Sequence, residues 1–275
     1  MKTIRLIAAI LFAAVAAEVS AQDQEIRAYS HRGGRFEYDE NTISAFQASY
    51  DAGYRGFEID IRMTGDGALV ITHDSTLERT TNGSGVVEEK TEAELRRLLT
   101  KQGNPLPFLG EVLDFLQGKE GLYVEFEMKT KPEELYPEER LHAYCDKLYR
   151  EVMAAKPAGA TFVFTSNDYR GLRYLQIKYP DADLLLITTK PCNDETIDLC
   201  KTLGIKRLGA TMDGTSRKAV QRAHKEGLIV SLWPGYTVAD FMLGAYLGSD
   251  YMCTDIPVEL KTWLAENAPW LNVKY

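Results

Sequence analysis

Residues 56–62 read Gly56-Phe57-Glu58-Ile59-Asp60-Ile61-Arg62, and residues 121–129 read GLYVEFEMK. In a strand, successive side chains point to opposite faces, and alternate ones stand about 6–7 Å apart on one face. Phe57, Ile59 and Ile61 therefore share an apolar face, while Glu58 and Asp60 share the other. In the second stretch Val124, Phe126 and Met128 face one way, and Glu125, Glu127 and Lys129 the other. An apolar face suits packing under helices. An acidic face needs a polar interior that opens to a ligand.

The chain on either side repeats the strand and adds helices between. Further strand-like runs lie at 26–31, 161–165, 183–188, 206–210, 228–233 and 250–254. Helical periodicity covers about 42–52, 110–117, 137–155, 168–179, 194–203, 215–226, 237–247 and 258–266. Gly204 and Gly227 stand where a helix ends in the left-handed conformation. Eight strand–helix units predict an α/β fold, a (β/α)8 TIM barrel, filling residues 22–275 as one domain. Residues 63–109 break the rhythm and read as a small insertion after the second strand. An open doubly wound sheet is the runner-up. HRGGRFEYDENT, after the first strand, lacks the glycine-rich phosphate loop that such a sheet carries.

The first residues stand apart. Lys2 and Arg5 precede an apolar stretch from Leu6 to Ala17, and Val19-Ser20-Ala21 offers small side chains for cleavage. This order predicts a signal peptide removed after Ala21, and a mature protein exported to a periplasm or beyond the cell. No later stretch is long and apolar enough to insert stably in a membrane.

Composition narrows the function. The chain has 275 residues, 45% hydrophobic and 26% charged, as soluble globular proteins do. Its formal net charge of −8 argues against a broad nucleic-acid surface. Cys145, Cys192, Cys200 and Cys253 show neither C-x-x-C nor zinc spacing and read as buried free thiols.

Inward carboxylates on neighbouring strands repel one another unless something neutralises them. Arg62 and Lys129 are candidate ion-pair partners; a divalent cation is the other solution. Carboxylate oxygens favour a hard ion, Mg2+ or Ca2+. His31 ends the first strand, and Arg32-Gly33-Gly34 follows, which frees Arg32 to reach an anion. His73 follows the alternating run Leu69-Val70-Ile71-Thr72. Two histidines at such a mouth are suited to general acid–base chemistry near neutral pH. His142 and His224 fall in helices among charged neighbours and read as solvated.

HRGGRFEYDENTISAF, FEIDIRMTGDGALVITHDSTLERTTNGSG, VEFEMK and GSDYMCTDIP, in that order, resemble the glycerophosphodiester phosphodiesterase family. The resemblance is densest over residues 29–129 and covers nearly the whole mature chain. It implies a metal-dependent hydrolase on a (β/α)8 barrel, releasing glycerol 3-phosphate and an alcohol from a small glycerophosphodiester. By matching position it makes Glu58, Asp60 and Glu127 metal ligands, and His31 and His73 the acid–base pair. Arg32 and Lys129 would hold the phosphoryl oxygens. Glu40 would stand beside the metal or orient His31. The nucleophile is either water or the neighbouring glycerol hydroxyl.

The sequence departs from the family in two places. Trp233-Pro234-Gly235-Tyr236-Thr237 replaces the usual Trp-Thr-Val-Asn-like string, with Trp233 still able to line the mouth. Glu125 is an additional inward acid, placed to tune the metal or pair with Lys129. Phe36, Tyr38, Tyr169 and Tyr236 are candidates for a lip around an alcohol group. Two other readings compete. A phospholipase-like phosphodiesterase would act on intact lipids and need an apolar rim. A non-catalytic phosphate-binding barrel would have lost a histidine or carboxylate, and none is lost.

Overall fold

The computed structural model describes residues 25–275, so the predicted targeting segment lies outside the described residues. Ten strands occur in the order β1 (Ile26–His31), β2 (Gly56–Met63), β3 (Leu69–Ile71), β4 (Tyr123–Met128), β5 (Thr161–Ser166), β6 (Leu184–Pro191), β7 (Arg207–Thr211), β8 (Ile229–Trp233), β9 (Tyr251–Thr254) and β10 (Val273–Lys274). All but β3 and β10 form a parallel ring, closed where β1 pairs with β9 on one side and β2 on the other. Helices 43–51, 109–116, 138–154, 169–178, 194–203, 217–225, 238–247 and 257–267 fall between or after these strands. The chain folds as the predicted (β/α)8 barrel.

Local chemistry sets the ends of these helices. The Thr42 side chain accepts a hydrogen bond from Ala45 N at 3.1 Å and starts helix 43–51. Asn193 and Thr196 form a reciprocal cap for helix 194–203, which Gly204 ends at φ 67°. Gly227, at φ 79°, follows helix 217–225 in the same left-handed region.

The two faces of the strands meet different surroundings. Phe57, Ile59, Ile61, Val124, Phe126 and Met128 point outward into the main apolar core. Inside the ring, a small cluster of Tyr29, Tyr123, Val163 and Leu185 fills the middle. The Arg27 and Arg207 guanidiniums lie 5.5 and 5.8 Å from the Tyr123 ring centre, and Arg207 pairs with Asp183 at 2.7 Å. This polar and aromatic layer fills the interior toward the N-terminal ends of the strands.

The insertion is a hairpin. Thr64-Gly65-Asp66-Gly67 turns the chain, and β3 runs back antiparallel to β2 with Ile61 opposite Ile71. Val70, Leu77, Val87, Leu95, Leu106 and Phe108 give this region its own small core. The hairpin returns His73 to the open end of the barrel, where Thr72 N donates to Asp60 O at 3.1 Å.

Candidate active site

Every sequence-predicted site residue lies at the C-terminal ends of β1, β2, β4 and β8 or in the segments that follow them. His31, Arg32, Glu58, His73, Glu127, Lys129 and Trp233 line a single cavity of about 230 Å3. Asp60 lies between them, fully buried. One oxygen from each of Glu58, Asp60 and Glu127 lies within 4.8 Å of the other two.

Two cations face these three carboxylates. Lys129 Nζ is 2.5 Å from Glu127 and 3.1 Å from Asp60, and Arg32 Nε is 3.0 Å from Asp60. Burial alone would protonate Asp60, but Lys129 and Arg32 outweigh it and hold the carboxyl well below its usual range. Glu58 has no such pair. Burial and the charges of Asp60 and Glu127 push it well above the usual carboxyl range. Its Oε1 is buried and makes no hydrogen bond. Among the three acids it is Glu58 that has no Lys or Arg side chain against it.

Arg32 is aimed by its backbone. It takes φ 54°, a left-handed conformation that costs a non-glycine residue energy, and Gly33 and Gly34 continue at 81° and 94°. A Cβ on Gly33 would lie 2.7 Å from Ala45 Cβ, so the turn needs glycine there. Asn41, also left-handed at φ 58°, donates to Asp60 Oδ2 at 2.7 Å.

Each histidine has a carboxylate behind it. His31 Nδ1 is 2.5 Å from Asp255 Oδ1, which leaves Nε2 toward Glu58 at 3.7 Å. Asp255 also accepts from Arg35 Nε at 2.9 Å. His73 Nδ1 is 2.7 Å from Asp74, which in turn binds Arg79. Burial, with Lys129 and Arg32 nearby, lowers the His73 pKa, although Asp60 and Asp74 oppose the shift. Near pH 7 His73 is therefore neutral.

Several residues sit differently from their sequence reading. Asp255, not Glu40, orients His31. Glu40 instead bridges Arg32 at 3.2 Å and Arg79 at 2.7 Å. Glu125 does not pair with Lys129, which is taken up by Glu127 and Asp60. The Tyr123 hydroxyl donates to Glu125 at 2.5 Å. Burial pushes the Glu125 pKa up to about 7, against the pull of Tyr123 and Arg207. Arg62 does not neutralise the inward acids; it pairs with Glu88 of the insertion at 2.7 Å. His142 stacks on Tyr174 at 3.9 Å, and His224 is half-buried with Asp250 at 2.9 Å, so neither is simply solvated. All four cysteines are free; Cys145, Cys192 and Cys200 are buried and Cys253 is partly so.

Asp255, Asn41 and Arg79 are site residues that strand alternation does not single out. The signal for Asp255 was present in Asp255-Ile256-Pro257, at the end of the last barrel strand. At the rim, Phe36 and Tyr236 are exposed, their rings 5.8 Å apart, with Arg35 over both.

The fold and site define a barrel whose polar mouth joins a carboxylate cluster, two carboxylate-backed histidines and two buried cations. Residues 31–259 match the Glycerophosphoryl diester phosphodiesterase family, and the chain belongs to it. It is 39% identical over 108 residues to the glycerophosphodiester phosphodiesterase of Caldanaerobacter subterraneus, covering 37% of this chain and 44% of that protein. It is also 39% identical over 83 residues to human glycerophosphodiester phosphodiesterase 1, covering 30% and 25%. The matched stretches thus span less than half the length of these relatives. Solved structures share the fold over most of both chains. One from Silicibacter pomeroyi has a TM-score of 0.81 at 24% identity, over 89% of this chain and 94% of that one. An Oleispira antarctica phosphodiesterase, solved with its product sn-glycerol-3-phosphate, has 0.78 at 21%, over 90% and 99%.

Proposed function

We propose that the protein is a metal-dependent glycerophosphodiester phosphodiesterase that releases glycerol 3-phosphate and an alcohol. One observation carries the reading. In a chain of this family, two carboxylate-backed histidines share one cavity with Arg32, Lys129 and a cluster of three carboxylates whose oxygens lie within 4.8 Å of one another.

Glu58, Asp60 and Glu127 would hold the cation, as Mg2+ or Ca2+. The unpartnered Glu58 Oε1 and the all-oxygen donor set support that fit. When bound, such an ion would supply positive charge to the phosphoryl oxygens as the bond breaks. Arg32 and Lys129 attract and orient the anionic diester, which an acidic protein needs at this mouth. Glu40 and Arg79 hold Arg32 in place from behind. One histidine takes the nucleophile's proton, and the other delivers one to the departing alkoxide. His73, neutral near pH 7, is ready to accept. Asp255 keeps His31 in one orientation, with Nε2 turned toward the carboxylate cluster. Trp233 forms part of the cavity wall on which the alcohol rests.

Incubation with glycerophosphocholine and Mg2+ or Ca2+ tests the activity. Release of glycerol 3-phosphate is expected; no release from any glycerophosphodiester would refute it. Export is proposed from the N-terminal segment alone. N-terminal sequencing of the mature protein should begin at Gln22, and an intact Met1 would refute it.

A further inference from the structure

One guanidinium braces the mouth from outside the cavity. Arg79 lies in the insertion between Leu77 and Thr81, both of which are buried. Thr81 N donates to Leu77 O at 3.0 Å, and Thr76 bridges Val86, so the turn that carries Arg79 is pinned at both ends. Its side chain reaches two carboxylates from different parts of the chain. Nη1 and Nη2 donate to the two oxygens of Glu40, each at 2.7 Å, and Nε donates to Asp74. Among the described residues, Arg79 is the one Lys or Arg that pairs with Asp74.

Each carboxylate in turn holds a group of the site. The other oxygen of Asp74 is 2.7 Å from His73 Nδ1. Glu40 Oε1 also accepts from Arg32 Nη1 at 3.2 Å, and Arg32 Nε is 3.0 Å from Asp60. The contacts therefore run from His73 through Asp74, Arg79, Glu40 and Arg32 to Asp60, with charge alternating in sign from Asp74 onward. Arg79, Asp74 and Glu40 do not themselves line the cavity. The Arg79 side chain is 47% exposed, so these pairs add little to stability. What they fix is geometry. A guanidinium presents a rigid fork that can hold one carboxylate with two bonds and a second with its remaining edge, whereas an ammonium is a point donor on a flexible stem.

We propose that Arg79 is a positioning residue that ties His73, the proton acceptor, to Arg32, the phosphate holder. The proposal rests on the phosphodiesterase reading for the roles of those two groups. Without Arg79, Asp74 loses its cationic partner and Glu40 is left to Arg32 alone, so both holds loosen together.

Steady-state kinetics with glycerophosphocholine, and calorimetry with glycerol 3-phosphate on the Mg2+-loaded protein, separate the two arms. Glu40→Gln should raise KM and weaken glycerol 3-phosphate binding by about tenfold, with kcat nearly unchanged. Asp74→Asn should lower kcat by about tenfold or more, with binding nearly unchanged. Arg79→Gln should do both, and adding either of the other substitutions to it should change little further, because that contact is already lost. Arg79→Lys should bring neither quantity to within about threefold of the unmodified protein. Imidazole NMR reads the His73 arm without turnover: Arg79→Gln and Asp74→Asn should move the His73 signals and leave those of His142 and His224 in place. An Arg79→Gln protein in which only one arm changes would overturn the proposal, as would fully additive effects. So would full recovery in Arg79→Lys, which would make Arg79 a source of charge and not a tie. Losses that follow a fall in the unfolding midpoint would overturn it as well. If no glycerophosphodiester is turned over but the affinity loss and the His73 shift occur together in Arg79→Gln, the activity reading fails and the tie stands.

Discussion

The two faces of β2 contrast sharply within one strand. Phe57, Ile59 and Ile61 are buried among the helices, where any apolar side chain of similar volume would serve. Glu58 and Asp60, one residue away in each case, are buried among charges, where only a few arrangements are tolerable. The outer face is built for stability. The inner face gives up stability for a site, since three buried carboxylates share two cations and Glu58 Oε1 is left without a hydrogen bond. Substitutions on the two faces should therefore change different observables.

The largest effect is expected on the inner face. His31→Ala should lower kcat by about 10^2–10^4-fold while leaving the unfolding midpoint nearly unchanged. Full activity in that variant would remove His31 from the chemistry. Asp255→Asn should follow at roughly 100-fold or more in kcat, because it keeps the shape but weakens the hold on the histidine. An effect confined to KM would contradict the positioning role.

On the outer face, Ile59→Ala should cost about 2–5 kcal/mol of stability by denaturant unfolding, with kcat per folded molecule retained. If it lost activity with no loss of stability, the separation of the two faces would fail. Thr42→Ala, which removes the cap of helix 43–51, should cost about 1 kcal/mol by the same assay.

The smallest effect lies away from both faces. Hydrogen bonding to Asp250 raises the His224 pKa. A group with a raised folded pKa contributes stability that is complete below its unfolded value of 6.5 and is lost as pH rises through the folded value. For this half-buried pair the contribution is only a few tenths of a kcal/mol. Asp250→Asn should remove that pH dependence, seen as a flatter profile of unfolding midpoint between about pH 6 and 8. An unchanged profile would show that another group is responsible.

Much of this was legible in sequence because alternation in a strand is local. Glu58, Asp60 and Glu127 could be placed inward from spacing alone, and the eight units emerged from the same periodicity. What stayed hidden depended on side-chain reach and chain return. Lys129 is long enough to bypass Glu125 and reach Asp60, which alternation cannot show. Asp255 and His31 are 224 residues apart in sequence and meet only because β9 closes the ring against β1. Arg79 joins Glu40 because the β2–β3 hairpin folds back over the mouth. The family resemblance drew attention to these segments without showing which side chains touch.

The central claim is that the inward carboxylates form a cation site that serves phosphodiester cleavage. The direct test is glycerol 3-phosphate release from glycerophosphocholine by the purified protein, before and after chelation, with Mg2+ or Ca2+ then restored. The account predicts that activity disappears on chelation, returns with the ion, and does not return in Asp60→Ala. Undiminished release after complete removal of the metal would contradict it.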